Sequence, residues 1–256
     1  MIDFDGLSRI EQNVFAGAIN HYAEPPVLAN SDSLWMMTRD GDWIAGVFAP
    51  GSGNNDLCVI YFYGNNENLR GAEVVLKTFR DLGVAVLCFD YRGYGASTGR
   101  PSERSFQTDA EFAFDWLSTN HPTLKIAAAG RSIGGAVAAY LAGQRPVHKL
   151  LTFSAPTNMV EIVRDLFSSG DIIIEEALSF RFDTAAYLTG VNCPIFIAHG
   201  EKDEIVPYAM SESLATHAAS SAVTRHTVIG ASHGTLFARG GDDLWKQINT
   251  FLAGAS

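Results

Sequence analysis

The chain has 256 residues, of which 47% are hydrophobic and 18% are charged. This length suits one sizeable core rather than two ordinary domains, and the composition indicates a globular chain rather than a disordered one. The formal net charge of −10 argues against a nucleic-acid partner and gives no reason to expect binding to an anionic membrane surface.

The N-terminal sequence, the apolar runs and the cysteines indicate the cellular location of the protein. No basic region followed by an apolar stretch opens the chain, so we expect no signal peptide. No apolar run reaches the roughly 18 residues of a membrane helix, so we expect no integral membrane association. Cys58, Cys88 and Cys193 lie in or beside apolar runs, which favours reduced thiols and a cytoplasmic location.

The predicted elements begin with a hairpin. Residues 1 to about 30 show little periodicity, and we expect an extended lead-in there. Strands are predicted over 34–38 and 43–48, because an Asp-Gly pair at Asp40 between them is a hairpin signal. Residues 57–63 are nearly all apolar, as expected of a strand that is covered on both faces.

Helix-like and strand-like stretches alternate from residue 69 onward. The predicted helices cover 69–82, 104–120, 133–144, 208–219 and 242–253, and the predicted strands cover 84–89, 124–129, 148–153, 194–199 and 223–229. This order predicts an α/β fold with a mostly parallel, doubly wound sheet that follows the antiparallel hairpin. Ligands bind such sheets at the carboxyl ends of the strands. We predict a single domain over residues 1–256.

Residues 155–191 interrupt the alternation, since no strand is visible in them. A connection of this length is usually functional. We predict a small helical cap there, and the alternative is a pair of packing helices without a gating role. Four apolar side chains of this segment could line a pocket, or they could equally well pack the cap against the core: Phe167, Leu178, Phe180 and Phe182.

The stretch 124–141 contains the predicted nucleophile. It consists of an apolar run, a Gly-x-Ser-x-Gly turn that begins at Gly130, and alanine-rich residues. A serine on such a strand–turn–helix connection is lifted out of the sheet, and the flanking glycines, the second of them Gly134, avoid clashes in the sharp turn. We predict that Ser132 is the nucleophile and that the Ile133 amide, at a helix N-terminus, is an oxyanion donor.

A second Gly-x-Ser-x-Gly match surrounds Ser97. The strand before it stops too early, at Asp90, and Pro101 follows where a helix would already be running. We therefore interpret Ser97 as a loop residue and Asp90 as a loop organiser that bonds the following turn.

A serine nucleophile needs a base and a carboxylate that orients the base. His233 lies between small residues directly after an apolar run, in the chain order serine, aspartate, histidine. His199, which ends a predicted strand, is the alternative base. It lies only four residues from Asp203, the best carboxylate, and would leave His233 unexplained.

The acid is expected in the loop that follows the strand 194–199. Asp203 is favoured because it lies in the middle of this loop, and Pro207 follows where the next helix begins. Glu201 and Glu204 are expected to be solvated.

The second oxyanion donor is expected after the strand 57–63. A glycine, Gly64, ends that strand, and we predict the backbone amide of Asn65 as the donor. The chemistry needs no metal and no organic cofactor.

These motifs together resemble the α/β-hydrolase superfamily and, within it, the BEM46-like serine hydrolases. The similarity runs from about residue 34 to residue 252 and is carried by residues 61–69, 90–97, 130–135, 199–207 and 230–233. The resemblance implies a catalytic triad of Ser132, Asp203 and His233, with the amides of Asn65 and Ile133 as the oxyanion hole.

One position departs from the family pattern. The family usually has a histidine before the glycine that Gly64 matches, and this chain has Tyr63. The resemblance implies that the family's histidine packs and shapes the loop and is not a member of the triad.

We predict a carboxylesterase-like serine hydrolase that cleaves a small-molecule ester or thioester through an acyl-enzyme. One alternative is an amidase or peptidase with the same triad, and another is a non-catalytic binding protein on the same fold. The sequence indicates neither the acyl chain length nor an oligomeric state.

Overall fold

The computed structural model describes residues 14–15, 21–25, 30–53, 56–167, 178–220 and 222–254. Eight strands within these residues form one sheet: β1 (Asp32–Met37), β2 (Trp43–Ala49), β3 (Leu57–Phe62), β4 (Ala85–Phe89), β5 (Lys125–Arg131), β6 (Lys149–Phe153), β7 (Ile195–Gly200) and β8 (Val223–Val228). Their order across the sheet is β1-β2-β4-β3-β5-β6-β7-β8. The β1–β2 and β2–β4 pairs are antiparallel and the others are parallel, which confirms the predicted fold class.

The helices pack in two groups around the sheet. They are α1 (Leu69–Asp81), α2 (Glu103–Asn120), α3 (Ile133–Gln144), α4 (Met159–Phe167), α5 (Thr184–Leu188), α6 (Ala209–His217) and α7 (Leu236–Ala253). Phe79 of α1 and Trp245 of α7 pack edge to face, with ring centroids 5.2 Å apart. The second group centres on α3, which contacts α2 and α5, and α5 in turn contacts α6.

Local sequence explains where the helices on either side of β4 begin. The side chain of Asn68 accepts a hydrogen bond from the Gly71 amide and caps α1. Ser102 and Ser105 exchange side-chain and backbone hydrogen bonds at the start of α2. Such caps satisfy amides that have no acceptor within the helix.

The last helix differs from its prediction. We expected a helix over 242–253, whereas α7 begins at Leu236. Gly241 interrupts it with φ 45° and ψ −141°, a conformation that glycine adopts without the steric cost of a side chain. The predicted range is the part of α7 that follows this break.

The end of the predicted cap is attached to the start of α2. The Glu103 carboxylate accepts hydrogen bonds of 2.7 Å from the amides of Arg181 and Phe182. Phe182 is buried and packs edge to face on Phe106 of α2, 5.9 Å between centroids. Phe180 is buried beside it, so both rings pack against the core.

Two predicted features fall partly outside the described residues. Residues 168–177, in the middle of the predicted cap, lie outside the described residues, as does most of the predicted lead-in before residue 30. The cap boundaries 155–191 therefore stay a prediction.

Three properties of the described residues concern a membrane-spanning helix, a metal site and a disulfide bond. No helix among them is both long and apolar enough to cross a membrane. They include no group of three or more His, Cys, Asp or Glu side chains that could hold a metal ion. Cys58 and Cys88 are buried free thiols, and Cys193 is a half-buried one.

Candidate active site

Ser132 lies on a strained turn between β5 and α3. Its φ of 53° is in the left-handed region, which costs a non-glycine residue of the order of 1–3 kcal/mol. The Ser132 amide donates to the Phe153 carbonyl at 2.8 Å and anchors the turn. A Cβ on Gly130 would lie 2.0 Å from the Gly134 carbonyl oxygen, and one on Gly134 would lie 2.2 Å from that of Phe62. The turn therefore requires both glycines of the motif.

Asp203 and His233 meet at the carboxyl edge of the sheet. Asp203 follows β7, and His233 follows β8. His233 Nδ1 lies 3.0 and 2.9 Å from the two carboxylate oxygens of Asp203. An ionised carboxylate only accepts, so Nδ1 carries the hydrogen and Nε2 of a neutral ring presents its lone pair on the other side. This is the geometry of a base that is held in one tautomer.

The environment of Asp203 keeps its carboxyl group ionised. One oxygen accepts hydrogen bonds from the amides of Ile205 (3.1 Å) and Val206 (2.8 Å). Burial alone would raise the pKa of Asp203, but the hydrogen bond and charge of His233 and the Val206 amide outweigh it. The pKa of Asp203 consequently lies below its usual range.

His199, the alternative base, is enclosed beside the acid. Its side chain is only 1% exposed, and its Nε2 lies 2.9 Å from the Val206 carbonyl oxygen and 3.5 Å from Asp203 Oδ2. Burial lowers the pKa of His199, which favours the neutral ring. A ring in this position packs against the acid and is enclosed away from solvent.

The loop after β3 lies directly beside Ser132. A Cβ built on Gly64 would be 3.6 Å from that of Ser132, and the Gly64 amide donates to Glu67 at 2.9 Å. The predicted oxyanion donors, Asn65 and Ile133, are the residues that follow Gly64 and Ser132. They therefore belong to two segments that meet at the predicted nucleophile.

The structure brings Asp203 and His233 into contact but does not join His233 to the serine hydroxyl. Among the described contacts, no hydrogen bond links the Ser132 hydroxyl to the His233 ring. Arg131, the residue before Ser132, does contact the histidine loop, since its guanidinium donates to the His233 carbonyl at 2.9 Å. Catalytic hydrogen bonds are often long without substrate and tighten when it binds.

Comparison with known proteins identifies the family. Residues 53–169 match the family described as serine aminopeptidase, S33. An uncharacterised protein of Mycobacterium tuberculosis is 32% identical over 211 residues, which cover 81% of this chain and 74% of that protein. Protein bem46 of Schizosaccharomyces pombe is 30% identical over 202 residues, which cover 76% of this chain and 67% of that protein. The chain belongs to the BEM46-like hydrolases of the α/β-hydrolase superfamily.

Other relatives agree with this assignment. The mouse lysophosphatidylserine lipase ABHD12 is 28% identical over 229 residues, which cover 79% of this hydrolase and 56% of the lipase. The crystal structure of the Pyrococcus furiosus esterase Pf2001 superposes with a TM-score of 0.74 at 17% identity, and the match covers 91% of the hydrolase and 98% of the esterase. The family match and the fold confirm the predicted superfamily, and the chain is an enzyme of the serine hydrolase type.

Tyr63, the departure from the family pattern, has a defined place in the hydrolase. Its hydroxyl donates to Asp90 at 3.1 Å and accepts from the Tyr91 amide at 3.1 Å. Asp90 also accepts from the amides of Leu69, at the start of α1, and Ala96. Asp90 is thus confirmed as a loop organiser, and Tyr63 connects the loop after β3 to it.

Glu201 and Glu204 are exposed, as the sequence predicted, and each also accepts a hydrogen bond from the histidine loop. Glu201 accepts a hydrogen bond from the Gly230 amide at 3.0 Å, and Glu204 accepts one from the His233 amide at 3.1 Å. Both glutamates therefore attach the histidine loop to the loop that carries Asp203. The sequence predicted their exposure but contained no signal for these two contacts.

Proposed function

We propose that this hydrolase cleaves a carboxylic ester or thioester through an acyl-enzyme on Ser132. The observation that carries the proposal is the pair of contacts, 2.9 and 3.0 Å, between His233 Nδ1 and the ionised Asp203 carboxylate. They leave His233 Nε2 available as the base at the edge where Ser132 occupies its strained turn. The name of the mouse relative, a lysophosphatidylserine lipase, supports an ester substrate.

Acylation follows from these roles. The Ser132 hydroxyl oxygen bonds to the carbonyl carbon while its proton passes to His233 Nε2. The carbonyl oxygen becomes an oxyanion, and backbone amides stabilise it. The bond to the leaving oxygen or sulfur then breaks, and His233 returns its proton to the departing alcohol or thiol. Asp203 stays ionised and stabilises the imidazolium.

Deacylation repeats the steps with water. A water molecule loses a proton to His233 Nε2 and its oxygen bonds to the acyl carbon. The bond to Ser132 then breaks, the carboxylic acid leaves, and His233 returns the proton to the Ser132 oxygen. The proposed steps require no metal and no organic cofactor.

The amides of Asn65 and Ile133 are the proposed oxyanion hole. Because the Gly64 amide already donates to Glu67, we assign the oxyanion donor of this loop to the amide of the next residue, Asn65. The Ile133 amide belongs to the first turn of α3, whose N–H groups have no acceptor within the helix.

The cap and the location complete the proposal. We propose a single domain in which residues 155–191 form a cap, supported by α4, α5 and the attachment of Arg181 to Glu103. The free thiols of Cys58 and Cys88 in the core support a cytoplasmic location.

The test is hydrolysis of p-nitrophenyl esters of increasing acyl length by the wild type and by Ser132→Ala. We expect turnover by the wild type and a loss of more than about 10³-fold in kcat in the variant. The acyl length that is cleaved fastest then indicates the size of the pocket. A Ser132→Ala variant that keeps the wild-type rate would refute the mechanism.

The amidase or peptidase alternative has its own observation, because the matched family is described as a serine aminopeptidase. Amides have a poorer leaving group than esters. Equal rates on matched p-nitroanilides and esters would favour the amidase. A protein that neither turns over esters nor is labelled by a fluorophosphonate would favour a non-catalytic binding protein.

A further inference from the structure

Arg131, the last residue of β5, contacts two other loops of the site. Its guanidinium forms an ion pair with Glu67 in the loop after β3. The same guanidinium donates to the backbone carbonyl of His233, in the loop after β8, at 2.9 Å. Arg131 directly precedes Ser132, so one side chain joins the nucleophile turn to both neighbouring loops.

Glu67 extends this connection to the oxyanion loop. Its first carboxylate oxygen contacts Arg131, and its second accepts from the Gly64 amide at 2.9 Å. The side chain of Glu67 is 23% exposed and that of Arg131 is 16% exposed, so water screens the ion pair only partly. A continuous path of contacts thus leads from the Gly64 backbone through Glu67 and Arg131 to the His233 backbone.

The three loops lie beyond the paired parts of their strands. The β3–β5 pairing ends with Phe62 opposite Gly130, and the β7–β8 pairing ends with Gly200 opposite Val228. Beyond these residues, the ladder hydrogen bonds of the sheet no longer join the loops. Side chains can help to hold the loops in register there, and Arg131 is placed to do so.

We propose that Arg131 and Glu67 are positioning residues, which hold the oxyanion loop and His233 in register with Ser132. This inference rests on the proposed function, since it concerns the same acyl transfer. The contacts of the two residues are with each other and with the backbone of Gly64 and His233, so they act through that backbone. A displacement of about 1 Å in such a constellation costs up to about 10²-fold in rate.

The experiment compares Arg131→Gln with Arg145→Gln. Arg145 bonds Asp115 through two nitrogens, at 2.8 and 3.0 Å, and joins α2 to the end of α3 with its side chain 27% exposed. It is a matched structural control. We expect both variants to lower Tm by similar amounts. We expect kcat on the best p-nitrophenyl ester to fall about 30- to 100-fold in Arg131→Gln alone, with KM changed by less than about threefold.

Two conservative variants sharpen the test. Lysine keeps the charge but cannot present two separated N–H groups in a fixed plane, so Arg131→Lys is expected to lose at least about tenfold in kcat. Glu67→Gln keeps an oxygen for the Gly64 amide and loses the ion pair, so a smaller loss of about three- to tenfold is expected. Should Arg131→Gln fail to fold, Glu67→Gln decides the question, and a kcat equal to wild type in it overturns the proposal.

Chemical rescue separates positioning from general stability. Guanidinium ion added to Arg131→Ala is expected to restore kcat by at least about threefold, because it can occupy the vacated position between Glu67 and His233. Wild-type kcat in both Arg131→Gln and Arg131→Lys would refute the positioning role. Ser132→Ala in the same assay reports on the proposed function separately: retained activity there refutes the serine mechanism, whatever the Arg131 variants do.

Discussion

The loop after β4, residues 90–99, contains the same residue types as the candidate site. Both regions have a Gly-x-Ser-x-Gly sequence and an aspartate at or just beyond the end of a strand. In the loop, Ser97 is only 5% exposed, and its hydroxyl donates to the Asp90 carbonyl at 2.7 Å and accepts from the Ala45 amide at 2.9 Å. Ser132 instead occupies a left-handed turn between a strand and a helix, and its side chain makes no capping bond.

The pKa values of the two aspartates are shifted in opposite directions. Burial raises the pKa of Asp90, although hydrogen bonds from Tyr22, Tyr63 and backbone amides partly oppose this. Burial acts on Asp203 as well, but His233 outweighs it and the pKa of Asp203 is lowered. The comparison teaches that the partner decides the role. The neutral donors around Asp90 accompany a raised pKa in a structural loop, and the histidine beside Asp203 accompanies a lowered pKa at the proposed orienting anion.

The largest expected difference between the regions concerns catalysis. Asp203→Asn keeps the shape of the side chain but favours the wrong tautomer of His233, so kcat is expected to fall about 10³- to 10⁴-fold. Asp90→Asn is expected to lower the free energy of unfolding by about 1–3 kcal/mol, with a loss in kcat of less than about tenfold. Ester kinetics and urea denaturation of both variants measure this, and equal losses in kcat would contradict the comparison.

An intermediate effect, on stability rather than on catalysis, is expected from substitution of Ser97. Ser97→Ala leaves the buried Ala45 amide and Asp90 carbonyl without their partner, so the unfolding free energy is expected to fall by about 1–3 kcal/mol. Because Ser97 lies outside the proposed mechanism, kcat should stay within about twofold of wild type. Denaturation and ester assays of the same preparation test this. A loss of kcat comparable to that of Ser132→Ala would show that the two serines were assigned the wrong way round.

The smallest expected effect is on the pH dependence of stability, to which Asp203 and Asp90 contribute with opposite signs. A depressed folded-state pKa, as for Asp203, stabilises the fold above the unfolded pKa of about 4, and the contribution is lost as pH falls through the folded pKa. A raised pKa, as for Asp90, makes the ionised group destabilising, and this disappears as pH falls through the folded pKa.

Urea denaturation from about pH 7 to about pH 3 measures these trends. The stability of wild type relative to Asp203→Asn should shrink toward low pH, because only the wild type loses the anion. The stability of wild type relative to Asp90→Asn should grow over the same range. Parallel trends for the two variants would contradict the assigned directions of the pKa shifts.

Much of the site could be predicted from the sequence because its signals are local. The turn at Ser132 is encoded by adjacent glycines between an apolar run and a helix-forming run. Asp203 and His233 could be proposed because parallel strands bring their carboxyl ends to one edge. Their catalytic roles stay predictions until the variants are measured.

The supporting side chains could not be predicted in the same way. Arg131 contacts Glu67 and His233, which are 64 and 102 residues away along the chain. Glu204 reaches the His233 backbone across 29 residues. Local periodicity carries no information about which charged side chains bond backbone groups across such separations, so the contact of the exposed Glu204 could not be predicted.

The sequence by itself determined the strand and helix alternation, the antiparallel start of the sheet and the sharp turn at Ser132. Each depends on backbone preferences and apolar spacing within a few neighbouring residues. Only the tertiary structure decided that Asp203, between Glu201 and Glu204, faces His233, that His199 is enclosed, and that Asp90 and Asp203 have opposite pKa shifts. The physical reason is that burial and the distance to a charged partner arise from packing between distant segments, which no local pattern specifies.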